Sequence, residues 1–94
     1  MSSFRISDVR FRTGSPLDEQ AGLLGWASFV VNESLKVASV AVRRTRANVI
    51  TLAFPTRRDR QGLEHGIVTP VDQPSHRAIE ATVLAALRRQ GALK

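Results

Sequence analysis

The chain has 94 residues, a net charge of +6 and no cysteine. That length makes one domain with a thin core, and the lack of cysteine excludes disulfides, thiolate nucleophiles and cysteine-ligated zinc. An apolar share of 43% suits a globule rather than a disordered tail, and the positive charge points to a polyanionic partner, most often nucleic acid.

The opening Met1-Ser-Ser-Phe-Arg-Ile holds no apolar core of signal-peptide length, and no run is long enough to span a bilayer. A cytoplasmic protein with no membrane partner is expected. Phe4 to Thr13 alternates in two phases, with Phe4 and Ile6 facing one way and Val9 and Phe11 the other. This predicts a first strand with a bulge or twist near Ser7–Asp8. Thr13-Gly-Ser-Pro-Leu-Asp-Glu-Gln reads as a polar, turn-rich loop. Residues 21–32 read as a second strand, because Gly22 and Gly25 weaken a helix and Trp26, Phe29, Val30 and Val31 favour a sheet. Asn32-Glu33-Ser34 makes a turn, Leu35 to Val42 a third strand, and Arg43 to Asn48 a charged connection. Val49 to Phe54 is the fourth strand, and Pro55, which cannot donate to a ladder, stops its pairing. A basic loop runs on through Arg60 to a tip at Gln61-Gly62. His65 to Val71 is a short last strand that Pro70 marks as marginal or edge.

The pattern then changes. Asp72 or Ser75 is suited to cap a helix. Ile79, Val83, Ala86 and Leu87 fall at helical spacing on one face, and Gly91 ends the helix after about Gln90. Strands followed by one helix give an α+β fold: an antiparallel sheet of four to five strands and a C-terminal helix laid on it, in a single domain over residues 1–94. Trp26, Phe29 and Ile79 are expected to bridge sheet and helix.

Little in the chain suits covalent chemistry. His65 and His76 are the only histidines, and no tight His/Asp/Glu spacing accompanies them, so a metal site is not expected. The serines lack a nucleophile elbow, Asp18 and Glu19 are loop neighbours that would not face one substrate, and no phosphate-binding glycine loop occurs. Neither an enzyme nor a cofactor nor a small-molecule substrate is expected.

The arginines carry more. Arg43, Arg44 and Arg46 precede the fourth strand, and Arg57, Arg58 and Arg60 follow it. Guanidinium groups stay charged and present a planar fork of donors suited to phosphate. The competing reading is a solvated basic rim. The aromatics Phe4, Phe11, Trp26, Phe29 and Phe54 are assigned to the core, so contact with phosphate backbone and groove is expected over base stacking. On the last helix, Arg88 and Arg89 also suit the negative C-terminus.

Taken in order, Ile6-Ser-Asp-Val-Arg-Phe-Arg, Trp26-Ala-Ser-Phe-Val-Val-Asn, Leu35-Lys-Val-Ala-Ser-Val-Ala-Val, Val49-Ile-Thr-Leu-Ala-Phe-Pro-Thr-Arg-Arg, Ile67-Val-Thr-Pro-Val and a final helix resemble the bacterial stage V sporulation protein G (SpoVG) family. That family opens with Ile-Thr-Asp-Val-Arg-x-Arg and carries a strand ending Ala-Met-Pro-Ser before two basic residues. The resemblance covers residues 4–88. It implies a small bacterial regulator that binds DNA or RNA and dimerises through its sheet. By position, Arg57 and Arg58 match the family's basic pair, and Arg77 matches a basic position early in its helix. The chain departs where the family has Asp-Gly-Glu-Phe-Arg-Asp, which is here Arg60-Gln-Gly-Leu-Glu-His, and where it has His-Pro, here Thr69-Pro70. A homodimeric nucleic-acid-binding protein using Arg43, Arg44, Arg46, Arg57, Arg58, Arg60 and Arg77 is therefore expected. The alternative is a protein-interaction module of the same fold whose charge serves an acidic partner protein.

Overall fold

The computed structural model describes residues 4–93. Its elements are β1 (Ile6–Thr13), α1 (Pro16–Gln20), β2 (Leu23–Val31), β3 (Leu35–Arg44), β4 (Ile50–Ala53), β5 (Thr56–Arg58), β6 (Glu64–Gly66) and α2 (Gln73–Arg89). Strands β1 to β4 form one antiparallel meander in chain order, and β5 and β6 form a separate two-stranded sheet. The fold is α+β, with the C-terminal helix on the main sheet. The stretch read as a turn-rich loop contains the short helix α1. Ser15 caps it by accepting from the Asp18 N–H, while the Asp18 carboxylate accepts from the Ser15 N–H.

Two bulges flank Phe29. In β1 the pairing passes from Ser7↔Val30 to Arg10↔Ser28, so Asp8 and Val9 together oppose Phe29. In β3 it passes from Val37↔Phe29 to Val40↔Ala27, so Ala38 and Ser39 oppose Ser28. Asp8 at φ 49° and Ser39 at φ 61° supply the backbone turn. The bulge near Ser7–Asp8 is the one the two-phase alternation of β1 predicted. Each bulge restores the inward phase, so Val9 and Phe11 pack toward the same core as Ile6 and not on the opposite face expected for them.

The core lies between one face of the sheet and α2. Ala27, Phe29, Val37, Val40, Val42 and Leu52 from the strands meet Val83, Leu84 and Leu87 from the helix, and Leu93 folds back beneath them. Ile79 is half-buried at the margin. Trp26 is not part of this core, contrary to expectation. It is three positions from Phe29 with no bulge in β2 between them, so the two side chains leave opposite faces of the strand. Phe29 takes the helix side and Trp26 the open side.

Helix α2 begins at Asp72, whose carboxylate accepts from the Ser75 N–H at 2.9 Å. It ends where Gly91, at φ 76°, lets the Ala92 N–H return to the Leu87 carbonyl. The helix crosses the sheet from edge to edge. Near its start, Glu80 and His76 reach the backbone of Leu52 on β4. At its far end, Gln90 Nε2 donates to the Val9 carbonyl on β1 at 2.9 Å.

Candidate nucleic-acid interface

Strand β3 runs two residues further than the sequence suggested, so Arg43 and Arg44 belong to the sheet rather than to a connection. Arg43 lies opposite Leu23 and Thr51, and Arg44 opposite Ile50. Neighbouring strand residues point to opposite faces. Arg43 therefore shares the open face with Trp26, and Arg44 lies toward the α2 side at the end of the sheet. Arg46 sits in the turn that follows. Thr45 builds that turn by donating its N–H to the Val49 carbonyl at 2.8 Å and accepting the Val49 N–H on its hydroxyl at 3.2 Å.

The second cluster is not a loop on the rim of the main sheet. β4 ends at Ala53, before Pro55, as the proline predicted. The chain then opens the β5–β6 hairpin, in which Thr56, Arg57 and Arg58 pair with Gly66, His65 and Glu64. The strand expected over His65 to Val71 is Glu64–Gly66 instead, and residues 67–71 lie outside it. Strand pairing with β5, rather than apolar content, decides where it forms. Asp59 organises the tip. Its carboxylate accepts the N–H groups of Gln61 and Leu63, each at 2.9 Å, and meets His65 Nε2 at 2.8 Å. The His65 contact first, then the backbone donors, hold the Asp59 carboxyl below the usual carboxylate range. Gly62 takes the left-handed turn at φ 82°. Arg57, Arg58 and Arg60 are exposed on this stapled hairpin.

The structure does not gather all seven arginines into one patch. Arg43, Arg44 and Arg46 precede β4 and Arg57, Arg58 and Arg60 follow it, so the clusters stand at opposite ends of that strand. Arg77 is exposed in the first turns of α2. Its neighbour His76 borders a cleft of about 460 Å³ that is also lined by Phe54, Thr56 and Gly66 at the root of the hairpin. Arg77 and the hairpin thus share one end of the molecule. At the α2 N-terminus the Ser75 N–H is already taken by the Asp72 carboxylate.

Few of these charges are neutralised. Among the described residues, ion pairs within 4.0 Å join Arg5 to Glu33, Arg10 to Asp8, and Arg58 to Glu64 at 3.8 Å, besides the contacts of the two histidines. Arg43, Arg44, Arg46, Arg57, Arg60 and Arg77 have no described carboxylate in that range. No group of three His, Cys, Asp or Glu side chains converges among the described residues, and no described helix is long and apolar enough to cross a membrane.

The open face holds a basic group that sequence reasoning passed over. The register places Arg12, Trp26, Ala41 and Ala53 in one row, with Arg10 and Ser28, and Val30 and Lys36, in the rows beyond. The Arg12 guanidinium lies over the indole of Trp26, 5.1 Å from the ring centroid. The signal was available: Arg10 and Arg12 are two apart on a strand and so share a face, and Trp26 has the opposite parity to Phe29. No family model matches the chain, and no curated protein is significantly similar to it.

Proposed function

We propose that this protein binds nucleic acid, DNA or RNA, through the arginines of the β5–β6 hairpin and those at the end of β3 and in the turn after it, with Arg77 beside the hairpin, and that it is a small bacterial regulator of the SpoVG kind rather than an enzyme. One observation carries the reading. Six arginines at the two ends of β4 and at the start of α2 are exposed and have no described carboxylate within 4.0 Å, while the hairpin that presents two of them is held in shape by Asp59. Exposed, unpaired guanidinium groups on a braced element are free to meet phosphate oxygens at little ordering cost. The motif order shared with the SpoVG family supports the same reading. Both histidines have structural work, His65 on Asp59 and His76 on the β4 edge, and this favours binding over catalysis.

The proposal includes a homodimer through the sheet. On β4, α2 takes both outward backbone groups of Leu52, while on β1 it takes the Val9 carbonyl, so β1 is the more open edge for a two-fold pairing. Sedimentation at micromolar concentration is expected to give twice the monomer mass.

Affinity measured against salt concentration tests the main reading. Removing one arginine–phosphate interaction should lower the slope of log K by roughly 0.9 on duplex DNA and about 0.7 on single strands. Arg57→Ala with Arg58→Ala is expected to weaken binding to many sequences and flatten the slope with the fold intact. Unchanged affinity and slope on every ligand would leave the hairpin as solvated surface and favour capture of an acidic protein.

A further inference from the structure

We infer that the open face of the β1–β4 sheet is a second nucleic-acid surface, specific for single strands, on which Trp26 stacks an unpaired base. The inference rests on the proposed nucleic-acid binding for its ligand class and, Arg43 apart, on separate residues for its site.

Three observations meet on this face. First, α2 packs on the opposite side of the sheet, and the exposed residues Arg10, Arg12, Lys36, Arg43 and Ala53 all lie on this one. Second, its charge is one-sided. Asp8 is the sole carboxylate within β1 to β4, and it is paired with Arg10 at 3.0 Å. Arg12, Lys36 and Arg43 are left without a described carboxylate within 4.0 Å. Third, Trp26 is surrounded by small or polar neighbours, Ala41 opposite it on β3 and Ser28 two residues along. A shallow recess of about 260 Å³ opens there, lined by Arg10, Arg12, Trp26, Ser28 and Ser39. A large indole left out of a thin core, with low side chains around it and cations beside it, has the make-up of a stacking platform.

The ligand chemistry follows from what the indole face now holds. Arg12 covers it as an exposed cation–π contact, which is worth roughly 2- to 5-fold in an equilibrium constant. A stacked base is worth about 5- to 150-fold. Exchange of guanidinium for base therefore favours the base, and Arg12 is released onto a neighbouring phosphate. Arg10 lies two residues along β1, about 7 Å away, so both arginines flank the same nucleotide. A duplex cannot use the platform, because its bases are already stacked on one another and their faces are closed.

Trp26 is the single tryptophan of the chain, so its own emission reports on the site. Full-length protein is titrated with a single-stranded oligothymidylate, a single-stranded oligouridylate and a duplex DNA of equal length, following tryptophan fluorescence and, in parallel, anisotropy of a labelled copy of each oligonucleotide. The expected result is quenching by the single strands and none by the duplex. Trp26→Ala should lose about 5- to 150-fold in affinity for single strands only. Arg12→Ala with Lys36→Ala, which keeps the reporter, should weaken single-strand binding and lower its salt slope by roughly 0.7 for each phosphate no longer neutralised. Should Trp26→Ala fail to fold, that second variant carries the test. Single strands that bind by anisotropy with unchanged Trp26 emission, and with full affinity for the Arg12/Lys36 variant, overturn the inference and leave the hairpin proposal standing. Equal quenching by duplex overturns it too. Binding of none of the three oligonucleotides overturns both.

Discussion

Glu80 reaches from α2 to the outer edge of the sheet and accepts the backbone N–H of Leu52 at 3.0 Å. One turn earlier on the same helix, His76 Nε2 lies 3.3 Å from the Leu52 carbonyl oxygen, its ring set edge-on to Phe54. Both outward backbone groups of Leu52 are thus taken by side chains. An unpaired strand edge is a template for pairing with another chain, and here the helix that covers the core also closes the edge.

Replacing Glu80 by Ala is expected to cost about 1–3 kcal/mol, because it strands a part-buried N–H without an acceptor. Glu80→Gln keeps an acceptor oxygen and should cost less. Urea denaturation of the two variants checks the order. Equal destabilisation would show that charge, rather than the hydrogen bond, is what α2 supplies. The Ala variant should also self-associate more readily in light scattering, since β4 is then open.

Gly25 is buried beneath Phe11. A Cβ placed there would lie 2.6 Å from Phe11 Cζ and would also meet the Arg12 carbonyl oxygen. The backbone of β1 cannot yield to it without breaking its pairing with β2. Gly25→Ala is expected to destabilise by about 1–3 kcal/mol, as overpacking does in a filled core. By contrast, Ala at Gly62 meets no neighbouring atom, and its cost comes from the left-handed backbone alone. Thermal or urea unfolding of both variants separates crowding from strain.

Leu87 is fully enclosed and Ile79 only half so. Leu87→Ala should cost about 2–5 kcal/mol, and Ile79→Ala clearly less. A larger effect at Ile79 than at Leu87 would mean that α2 is rotated about its axis relative to this packing.

The cap of α2 makes an acid-sensitive contribution. Ser75, through its hydroxyl first and its N–H second, holds the Asp72 carboxyl below the usual range. A depressed folded-state pKa means that the folded state binds fewer protons than the unfolded chain at intermediate pH. The stabilisation is complete above the ordinary aspartate value of about 3.9, and it is lost as pH falls from there through the lower folded value. Asp59 in the hairpin has the same sign. Asp72→Asn should therefore show a shallower fall in urea midpoint between neutral pH and about pH 3 than the wild type. Parallel pH profiles would remove the cap from the acid response.

Much of the architecture was written in local signals. The antiparallel strands, the stop at Pro55, a cap at Asp72 or Ser75 and the end at Gly91 each depend on backbone chemistry within a few residues, and such preferences can be read from neighbours alone, though only the structure chose Asp72 as the cap. The β1 bulge was legible as well, because a slip in alternation leaves its mark in the pattern of Phe4, Ile6, Val9 and Phe11. Three matters were decided by tertiary structure. Arg43 and Arg44 are strand because β2 and β4 lie beside them to complete their ladders. β5 and β6 are strands because each is the other's partner, although neither has the apolar alternation of a half-buried strand. Trp26 and Phe29 are both large, aromatic and suited to a sheet, and composition cannot say which is buried. Parity sets them on opposite faces, and only the docking of α2 chooses the Phe29 side as the core. That choice leaves Trp26 and its arginines facing outward, because a helix can cover one side of a sheet and the described residues form a single long helix to do so.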